Sequence, residues 1–188
     1  AQRKAYDKFE KEAFLELEDK FLDGGLPGVH AIRCRQIMGH PENVLGEAIT
    51  TERTGKDERL LIHLEDHKRN KKPLVIFTSL VPEQLRIVKL CQDEGFRVGL
   101  INGSVSGTSR AKIDEKFRAG ELDILICSPQ TASFGFNWQF SGNKEVDHLI
   151  FVSLDYQDST FYQAYRRAIR GTRKTPLLIT IMEYEKSI

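Results

Sequence analysis

The chain has 188 residues and is 40% hydrophobic, which is enough for one domain with a sizeable core. Its 28 lysines and arginines nearly balance its 27 aspartates and glutamates, so the overall charge does not predict a polyanionic partner and any such binding must come from local patches. No apolar run approaches the roughly 18 residues that a membrane-spanning helix needs, and three cysteines far apart in the chain predict free thiols in a reducing compartment.

The N-terminal segment, residues 1–55, is predicted to be helical and to pack on, or lead into, the domain that follows. Apolar residues recur at steps of three and four, which predicts an amphipathic helix over residues 5–22. A second helix is predicted over residues 29–39 and ends before His40-Pro41, because the residue before a proline avoids the α region. Residues 42–54 show no clear period and are predicted to form a loop.

The rest of the chain, residues 56–188, is predicted to form one domain that opens with a helix over residues 56–70. Five short runs then predict strands: residues 74–78, 97–101, 123–127, 148–152 and 177–181. The first is a continuous apolar run of the kind that is buried on both faces of a parallel sheet. The helical segments between them begin with proline or end with glycine, as at Pro82 and Gly95. This alternation predicts an α/β fold with three layers, α/β/α, around a mostly parallel sheet.

The residues that follow the predicted strands are small or polar. They are Thr78-Ser79, Asn102-Gly103, Ser128-Pro129 and residues 153–155. Because ligands of open parallel sheets bind at the carboxyl ends of the strands, these residues are predicted to form a binding edge.

A segment rich in arginine, residues 163–173, lies between the fourth and the fifth predicted strand. Gln163, Arg167 and Arg170 are spaced four and three residues apart, which places all of them on one face of a predicted helix. An arginine side chain keeps its charge and offers a rigid fork of donors, so two on one face make a good phosphate clamp. The alternative is a solvent-exposed basic helix face without a ligand.

The sequence has no motif that could bind and hydrolyse a nucleotide by itself. A P-loop requires Gly-x-x-x-x-Gly-Lys followed by serine or threonine, but Asp57 follows the only Gly-Lys pair, Gly55-Lys56, and Thr50 stands where the first glycine belongs. None of the predicted strands ends in an Asp-Glu pair that could hold Mg²⁺. A stand-alone Rossmann-like enzyme would need a glycine-rich turn after the first strand, and residues 78–82 contain no glycine.

Two pairs of metal-binding residue types stand at helical spacing, His63 with His67 and His30 with Cys34. A zinc site needs a third and a fourth ligand, usually in a tighter pattern, so the sequence predicts no metal site. It also shows neither a serine–histidine–aspartate order nor a nucleophile elbow.

Six segments in this order resemble the second motor lobe of superfamily-two helicases and translocases, closest to the Swi/Snf-type branch. The resemblance covers roughly residues 29–182. The segments are residues 32–41, 54–56, 74–79, 101–104 together with Arg110 and Phe117, 128–138, and 163–170. The third, fifth and sixth resemble helicase motifs IV, V and VI. Each segment alone is a weak signal, but their common order and spacing are specific.

Several residues differ from those that are usual in the Swi/Snf-type branch. They are Pro129, Ser133, Trp138, Ile169 and residues 171–173. A bacterial or phage relative, or a more general helicase, fits these departures as well as a eukaryotic remodeller does.

In this family two RecA-like lobes hold ATP with Mg²⁺ between them, so the resemblance implies a C-terminal RecA-like lobe whose partner is an N-terminal lobe of the same protein. Arg170 would be the arginine finger that neutralises charge on the γ-phosphate, and Arg167 would be its companion. Gln163 would position the nucleotide or the arginines, Asn137 would lie near the ribose, and Gly135 would allow close approach. The chain alone is expected not to hydrolyse ATP.

The resemblance also implies contacts with the backbone of one nucleic-acid strand, which position the lobe without reading sequence. The residues implied are Thr78, Ser79, Asn102, Gly103 and Ser128. The partner would be DNA, with RNA left open, and the lobe would step along the strand as it closes on ATP and opens again. A motor of this kind is expected in the cytoplasm, or in the nucleus of a eukaryote.

An alternative function is a non-catalytic module that binds nucleic acid or protein and retains the fold. Loss of the arginines would indicate such a module, whereas Arg167 and Arg170 are both present. The sequence therefore favours the motor lobe.

Overall fold

The computed structural model describes residues 2–16, 21–46, 53–131, 135–155, 158–169 and 171–187. In chain order its helices are α1 (Gln2–Glu12), α2 (Pro27–Gly39), α3 (Pro41–Leu45), α4 (Gly55–Asn70), α5 (Val81–Asp93), α6 (Gly107–Ala119) and α7 (Asp158–Tyr165). Its strands are β1 (Phe14–Glu16), β2 (Phe21–Asp23), β3 (Leu74–Phe77), β4 (Val98–Ile101), β5 (Ile124–Cys127), β6 (Phe140–Ser141), β7 (Lys144–Glu145), β8 (His148–Phe151) and β9 (Leu178–Ile181). The chain divides into two compact units, Ala1–Gly55 with Tyr184–Ile188, and Lys56–Glu183.

The first unit has one apolar core, in which Tyr6 and Phe9 of α1 and Ile37 of α2 are completely buried. The helix predicted over residues 5–22 is wrong in its second half, because α1 ends at Glu12. The next residue, Ala13, adopts a left-handed φ of 54°, which turns the chain out of the helix.

A hairpin of β1 and β2 stands where the helix was expected to continue. Leu15 and Leu22 lie opposite each other in it and are buried, while Phe14 and Phe21 stack on the exposed side with ring centroids 6.0 Å apart. Residues 17–20 lie outside the described part of the chain. The helical spacing of apolar residues was misleading here. A hairpin also buries apolar residues in the core, at alternate positions, and this is the arrangement that the chain adopts.

The second predicted helix is confirmed as α2, which begins at Pro27. Proline is tolerated in the first helical turn because its missing amide hydrogen would have no partner there. The loop predicted over residues 42–54 is partly wrong, since α3 occupies its start and buries Val44 and Leu45. Residues 47–52 lie outside the described residues.

The second unit contains a sheet of five parallel strands in the order β4-β5-β3-β8-β9, which confirms the predicted parallel sheet. Alternate residues of a strand face opposite sides, so Val75 and Phe77 belong to one apolar core and Leu74 and Ile76 to the other. Residues of α6 and α7 contribute to the first core and residues of α4 and α5 to the second. The unit is therefore the predicted three-layer α/β/α sandwich.

A short antiparallel hairpin, β6–β7, precedes β8 and pairs Phe140 with Glu145. This hairpin was not predictable from the sequence, because strands of two residues leave no periodic signal.

The three cysteines, Cys34, Cys91 and Cys127, are buried free thiols, which confirms the prediction that they do not form disulfides. Among the described residues, no helix is long and apolar enough to cross a lipid bilayer.

Histidines of α4 meet the first residue of β8. His67 Nε2 lies 2.9 Å from His148 Nδ1, and His148 Nε2 lies 2.8 Å from Thr180 Oγ1. The ring of His63 lies edge-on to that of His148, with centroids 5.3 Å apart. Within the described residues, no group of three or more His, Cys, Asp or Glu side chains is arranged to hold a metal ion. Burial, and then the neighbouring imidazoles, lower the pKa of His148 to about 4.

We expect the free energy of unfolding to fall as the pH is lowered from 7 to 4. An unfolded histidine takes up its proton below about pH 6.5, whereas folded His148 takes it up only near pH 4. Between these values the unfolded state binds more protons, so acid favours unfolding, by roughly 3 kcal/mol at pH 4. Urea unfolding at a series of pH values measures this. The variant His148→Gln does not titrate and should give a flatter profile; an equally steep one would contradict the assignment.

Candidate functional site

The ends of the parallel strands place the five predicted nucleic-acid-binding residues at the carboxyl edge of the sheet. The side chains of Thr78, Asn102 and Ser128 are buried there, with exposed fractions of 0%, 2% and 8%. Ser79 is half-buried and Gly103 is exposed. Ser79 and Gly103 are therefore the accessible members of this set, while the side chains of the other three form bonds inside the unit.

A buried carboxylate connects the loop after β3 with the loop after β8. Thr78 Oγ1 and Ser153 Oγ both donate to Glu83 Oε2. Ser153 Oγ also accepts a hydrogen bond of 3.0 Å from Ser79 N. Glu83 lies in the first turn of α5 and is completely buried. A single side chain of α5 thus orders two strand ends.

Gln84, the next residue of α5, connects the loop after β3 with the loop after β4. Its Nε2 donates to Thr78 O at 2.9 Å, and its Oε1 accepts from Asn102 Nδ2 at 2.9 Å. Asn102 Oδ1 in turn accepts from Ser104 N at 3.0 Å and from Ser104 Oγ at 2.7 Å. Two adjacent residues of α5 thus connect the loop after β3 with the loops after β4 and β8.

Arg110 of α6, one of the residues that carry the family resemblance, holds the loop after β4. Its Nη2 donates to Gly103 O at 3.0 Å and its Nε to Val105 O at 2.7 Å. A Cβ at Gly103 would meet no atom within 4 Å, so this position opens onto free space. The loop therefore presents its exposed backbone in a fixed position.

The loops after β5 and β8 are joined to α7 through Asp155. Gln130 Nε2 donates to Asp155 Oδ2, and Thr160 Oγ1 donates to Asp155 Oδ1 at 2.8 Å. Ser128 and Thr131 share a hydrogen bond between their hydroxyl groups at the start of the same loop. These contacts link the binding edge to the segment that follows β8.

The segment that resembles motif V contacts the arginine segment directly. Trp138 N donates a hydrogen bond of 2.9 Å to Arg167 O. Gly135 has a φ of 86°, which favours glycine, and a Cβ there would meet no atom within 4 Å. Asn137 is exposed, and its Oδ1 accepts from Gln139 N at 3.3 Å. Gly135 and Asn137 are thus surface residues on a segment that is bonded to the arginine segment.

The arginine segment differs from its prediction. Helix α7 ends at Tyr165, so Gln163 lies on the helix while Arg167 lies in the turn that follows. Arg170 lies outside the described residues. The prediction that a single helix face carries all three side chains is therefore wrong.

Beyond Tyr165 the chain forms tighter turns, in which Arg167 N donates to Ala164 O and Ala168 N to Tyr165 O. The carbonyl groups that follow find partners elsewhere. Arg167 O accepts from Trp138 N, and Ala168 O accepts from Arg173 Nη1 at 3.0 Å. Arg173 Nη1 also donates to Val146 O at 2.8 Å. Arg173 thus fixes the turn after α7 from inside the unit, a role that its spacing in the sequence does not reveal.

The segment around Lys56, also part of the resemblance, anchors the start of α4. Lys56 Nζ donates to Val152 O just beyond β8, and Asp57 pairs with Arg86 of α5 at 2.9 Å. These contacts attach α4 to the strand end and to α5.

Glu83 and Gln84 are two residues of the site that the sequence does not reveal. An acidic residue in the first turn of a helix is favourable on its own, so a glutamate after Pro82 is explained by helix formation alone. The burial of both side chains at the strand ends is visible only in the structure. No sequence signal distinguishes them from ordinary residues of a first helical turn.

Residues 55–172 match the protein family described as Helicase conserved C-terminal domain. The chain is similar to a curated protein named ATP-dependent RNA helicase DBP3 of Coccidioides immitis (strain RS), with 30% identity over 80 residues, 41% of this chain and 16% of that protein. It is also similar to a solved structure of the C-terminal part of the Fun30 ATPase domain, with a TM-score of 0.65 and 19% identity, covering 72% of this chain and 43% of that one. The chain spans less than half the length of either protein.

The likeness of the two structures agrees with the three-layer RecA-like fold predicted from the sequence. The family match begins at α4, runs through the binding edge and includes Gln163, Arg167 and Arg170. The chain belongs to the family of helicase conserved C-terminal domains.

Proposed function

We propose that this chain is the second motor lobe of an ATP-dependent helicase or translocase of the Swi/Snf type. ATP with Mg²⁺ is bound mainly by the N-terminal RecA-like lobe of the same protein. Arg170 is the arginine finger, and Arg167 supports it. Gln163, Gly135 and Asn137 lie against the nucleotide. The loops of the binding edge contact the backbone of a nucleic-acid strand, which we assign as DNA.

The observation that carries the proposal is the hydrogen bond between Trp138 N and Arg167 O. It attaches the segment with Gly135 and Asn137 to the segment with Arg167, although nearly 30 residues separate them in the sequence. A phosphate clamp requires guanidinium groups beside a backbone that a nucleotide can approach closely. The contact of these two segments supports that arrangement.

The exposed residues at the carboxyl edge support the contact with nucleic acid. Gly103 leaves its backbone open to a phosphate group, and Ser79 is partly accessible. Contacts of this kind carry no sequence information, which suits a motor that moves along any strand. Buried Thr78, Asn102 and Ser128 act indirectly, because their bonds hold the loops in place.

The proposal is tested by measuring ATP hydrolysis in the protein that contains both lobes and in this chain alone. We expect single-stranded nucleic acid to stimulate hydrolysis by the two-lobed protein, and no hydrolysis by the chain alone. DNA and RNA are compared as stimulators, and stimulation by RNA alone would contradict the assignment of DNA. A two-lobed protein that is inert with both would instead favour a non-catalytic binding module.

Gly103 provides the matched variants for the same assay. A side chain fits there without a clash, so Gly103→Glu and Gly103→Gln should both fold. The carboxylate repels phosphate groups, and we expect Gly103→Glu to raise the nucleic-acid concentration for half-maximal stimulation about tenfold. Gly103→Gln, of similar size but neutral, should change it little. Equal half-maximal concentrations for the two variants would indicate that the nucleic acid binds elsewhere.

A further inference from the structure

Glu83 has a chemical environment that stability alone does not explain. The side chain is completely buried, and its Oε2 accepts from two hydroxyl groups, those of Thr78 and Ser153. Among the described residues, no donor lies within hydrogen-bond distance of Oε1. Burying a carboxyl oxygen without a partner costs free energy, and an apolar side chain of similar volume would avoid that cost. The effect of the carboxylate on the orientation of its neighbours therefore explains its burial better than stability does.

The hydrogen bonds at Glu83 determine how the neighbouring groups are oriented. Each hydroxyl group carries a single proton, so Thr78 and Ser153 direct their protons towards the carboxylate. Ser153 Oγ is then left with lone pairs only, and one of them accepts from Ser79 N at 3.0 Å. The backbone N–H group of Ser79 therefore points towards Ser153, which holds Ser79 next to the loop after β8.

The two loops that Glu83 joins have different roles in the proposed motor. The loop after β3 carries Ser79, which faces the nucleic acid. The loop after β8 continues from Ser153 to Asp155, and Thr160 of α7 is bonded to Asp155. Helix α7 leads into the turn with Arg167. Glu83 therefore lies on a short bonded path between the nucleic-acid side and the nucleotide side.

We infer that Glu83 is a positioning residue, which sets the loop after β3 against the loop after β8 and so transmits nucleic-acid binding to the arginine segment. This role rests on the proposed function. The positioning role requires an acceptor oxygen at the buried position more than a negative charge, because Thr78 and Ser153 both donate to the same oxygen, Glu83 Oε2. Gln84 extends the path to the loop after β4 through Asn102.

The first test uses amide hydrogen exchange in this chain and does not depend on motor activity. In Glu83→Leu, which removes the acceptor, we expect the amide of Ser79 to exchange about tenfold faster. Glu83→Gln keeps an acceptor oxygen in the same place and should stay near the wild-type rate. Asp93→Asn, an exposed carboxylate on the same helix, is the matched control. Unchanged protection of Ser79 in Glu83→Leu would overturn the inference.

The second test uses ATP hydrolysis by the two-lobed protein. We expect Glu83→Leu to lower the nucleic-acid-stimulated rate at least about tenfold through misplacement of the loops. The basal rate should be retained, and Glu83→Gln should restore the stimulation. If basal and stimulated rates fall together, Glu83 is only structural. Should Glu83→Leu not fold, Glu83→Met also removes the acceptor oxygens and has the same expected and contrary results. Absence of stimulation in the wild type would refute the proposed function and, with it, the transmission. Amide exchange would then still show whether Glu83 sets the loop after β3 against the loop after β8.

Discussion

Replacing Arg170 by alanine in the two-lobed protein is expected to lower nucleic-acid-stimulated ATP hydrolysis about 10³- to 10⁵-fold. Charge builds on the γ-phosphate oxygens in the transition state, and an arginine finger neutralises it there. The affinity for ATP should change much less, because in the proposed motor the first lobe would hold most of the nucleotide. Single-turnover measurements at saturating ATP separate the rate of the chemical step from ATP binding. A stimulated rate equal to that of the wild type would exclude Arg170 as the finger.

Two further variants control for charge and for position. Arg170→Lys keeps the positive charge but loses the planar fork, so its rate should lie between those of the wild type and Arg170→Ala. Arg166→Ala removes a nearby arginine whose guanidinium lies over the ring of Tyr162, 4.3 Å from its centroid. Because that arginine is engaged with an aromatic ring, Arg166→Ala should retain most of the wild-type rate of stimulated ATP hydrolysis. An equal loss in Arg166→Ala and Arg170→Ala would indicate a general effect of charge.

Replacing Trp138 by alanine is expected to lower the free energy of unfolding by about 3–5 kcal/mol. Trp138 is completely buried and stacks on Phe136 with ring centroids 5.1 Å apart. Its indole Nε1 donates to Asp114 Oδ1 at 2.8 Å, and the carboxylate is itself largely buried and paired with Arg118. Truncation removes the packing and leaves one oxygen of Asp114 without its donor. Urea unfolding monitored by circular dichroism measures the change.

The two contributions of Trp138 can be separated. Trp138→Phe retains an aromatic ring but has no donor for Asp114, so it should cost about 1–3 kcal/mol. Phe140→Ala truncates an aromatic residue two positions away that is 40% exposed, and it should cost less than about 1 kcal/mol. If Trp138→Ala cost no more than Phe140→Ala, the side chain would not be the packing centre that its burial indicates.

The strands of the central sheet were predictable because their burial pattern is local. All four residues of β3 and all four of β5 are buried, since the sheet is covered on both faces. Such strands appear in the sequence as continuous apolar runs, and proline and glycine mark the helices between them. The small and polar residues after each strand likewise predicted where the carboxyl edge of the sheet lies.

The end of α7 and the hairpin at β1 were not predictable, because contacts distant in the sequence determine them. A periodic pattern extends the helix through Arg170, whereas the carbonyl of Arg167 is bonded to Trp138. In the first unit, the burial of Leu15 and Leu22 competes successfully with the helical spacing. Local propensity is a weak preference that tertiary packing overrides in both places.

Local sequence patterns were sufficient for the layered α/β fold, the direction of the strands and the residue types at their carboxyl ends, since each depends on neighbours in the chain. The exposure of those residues depends instead on contacts in the folded unit. Thr78 is buried, and its hydroxyl group is hydrogen-bonded to Glu83 and to Ser153, which is 75 residues away. Which side chain faces a ligand and which one holds it in place depends on such long-range hydrogen bonds, and no local pattern encodes them.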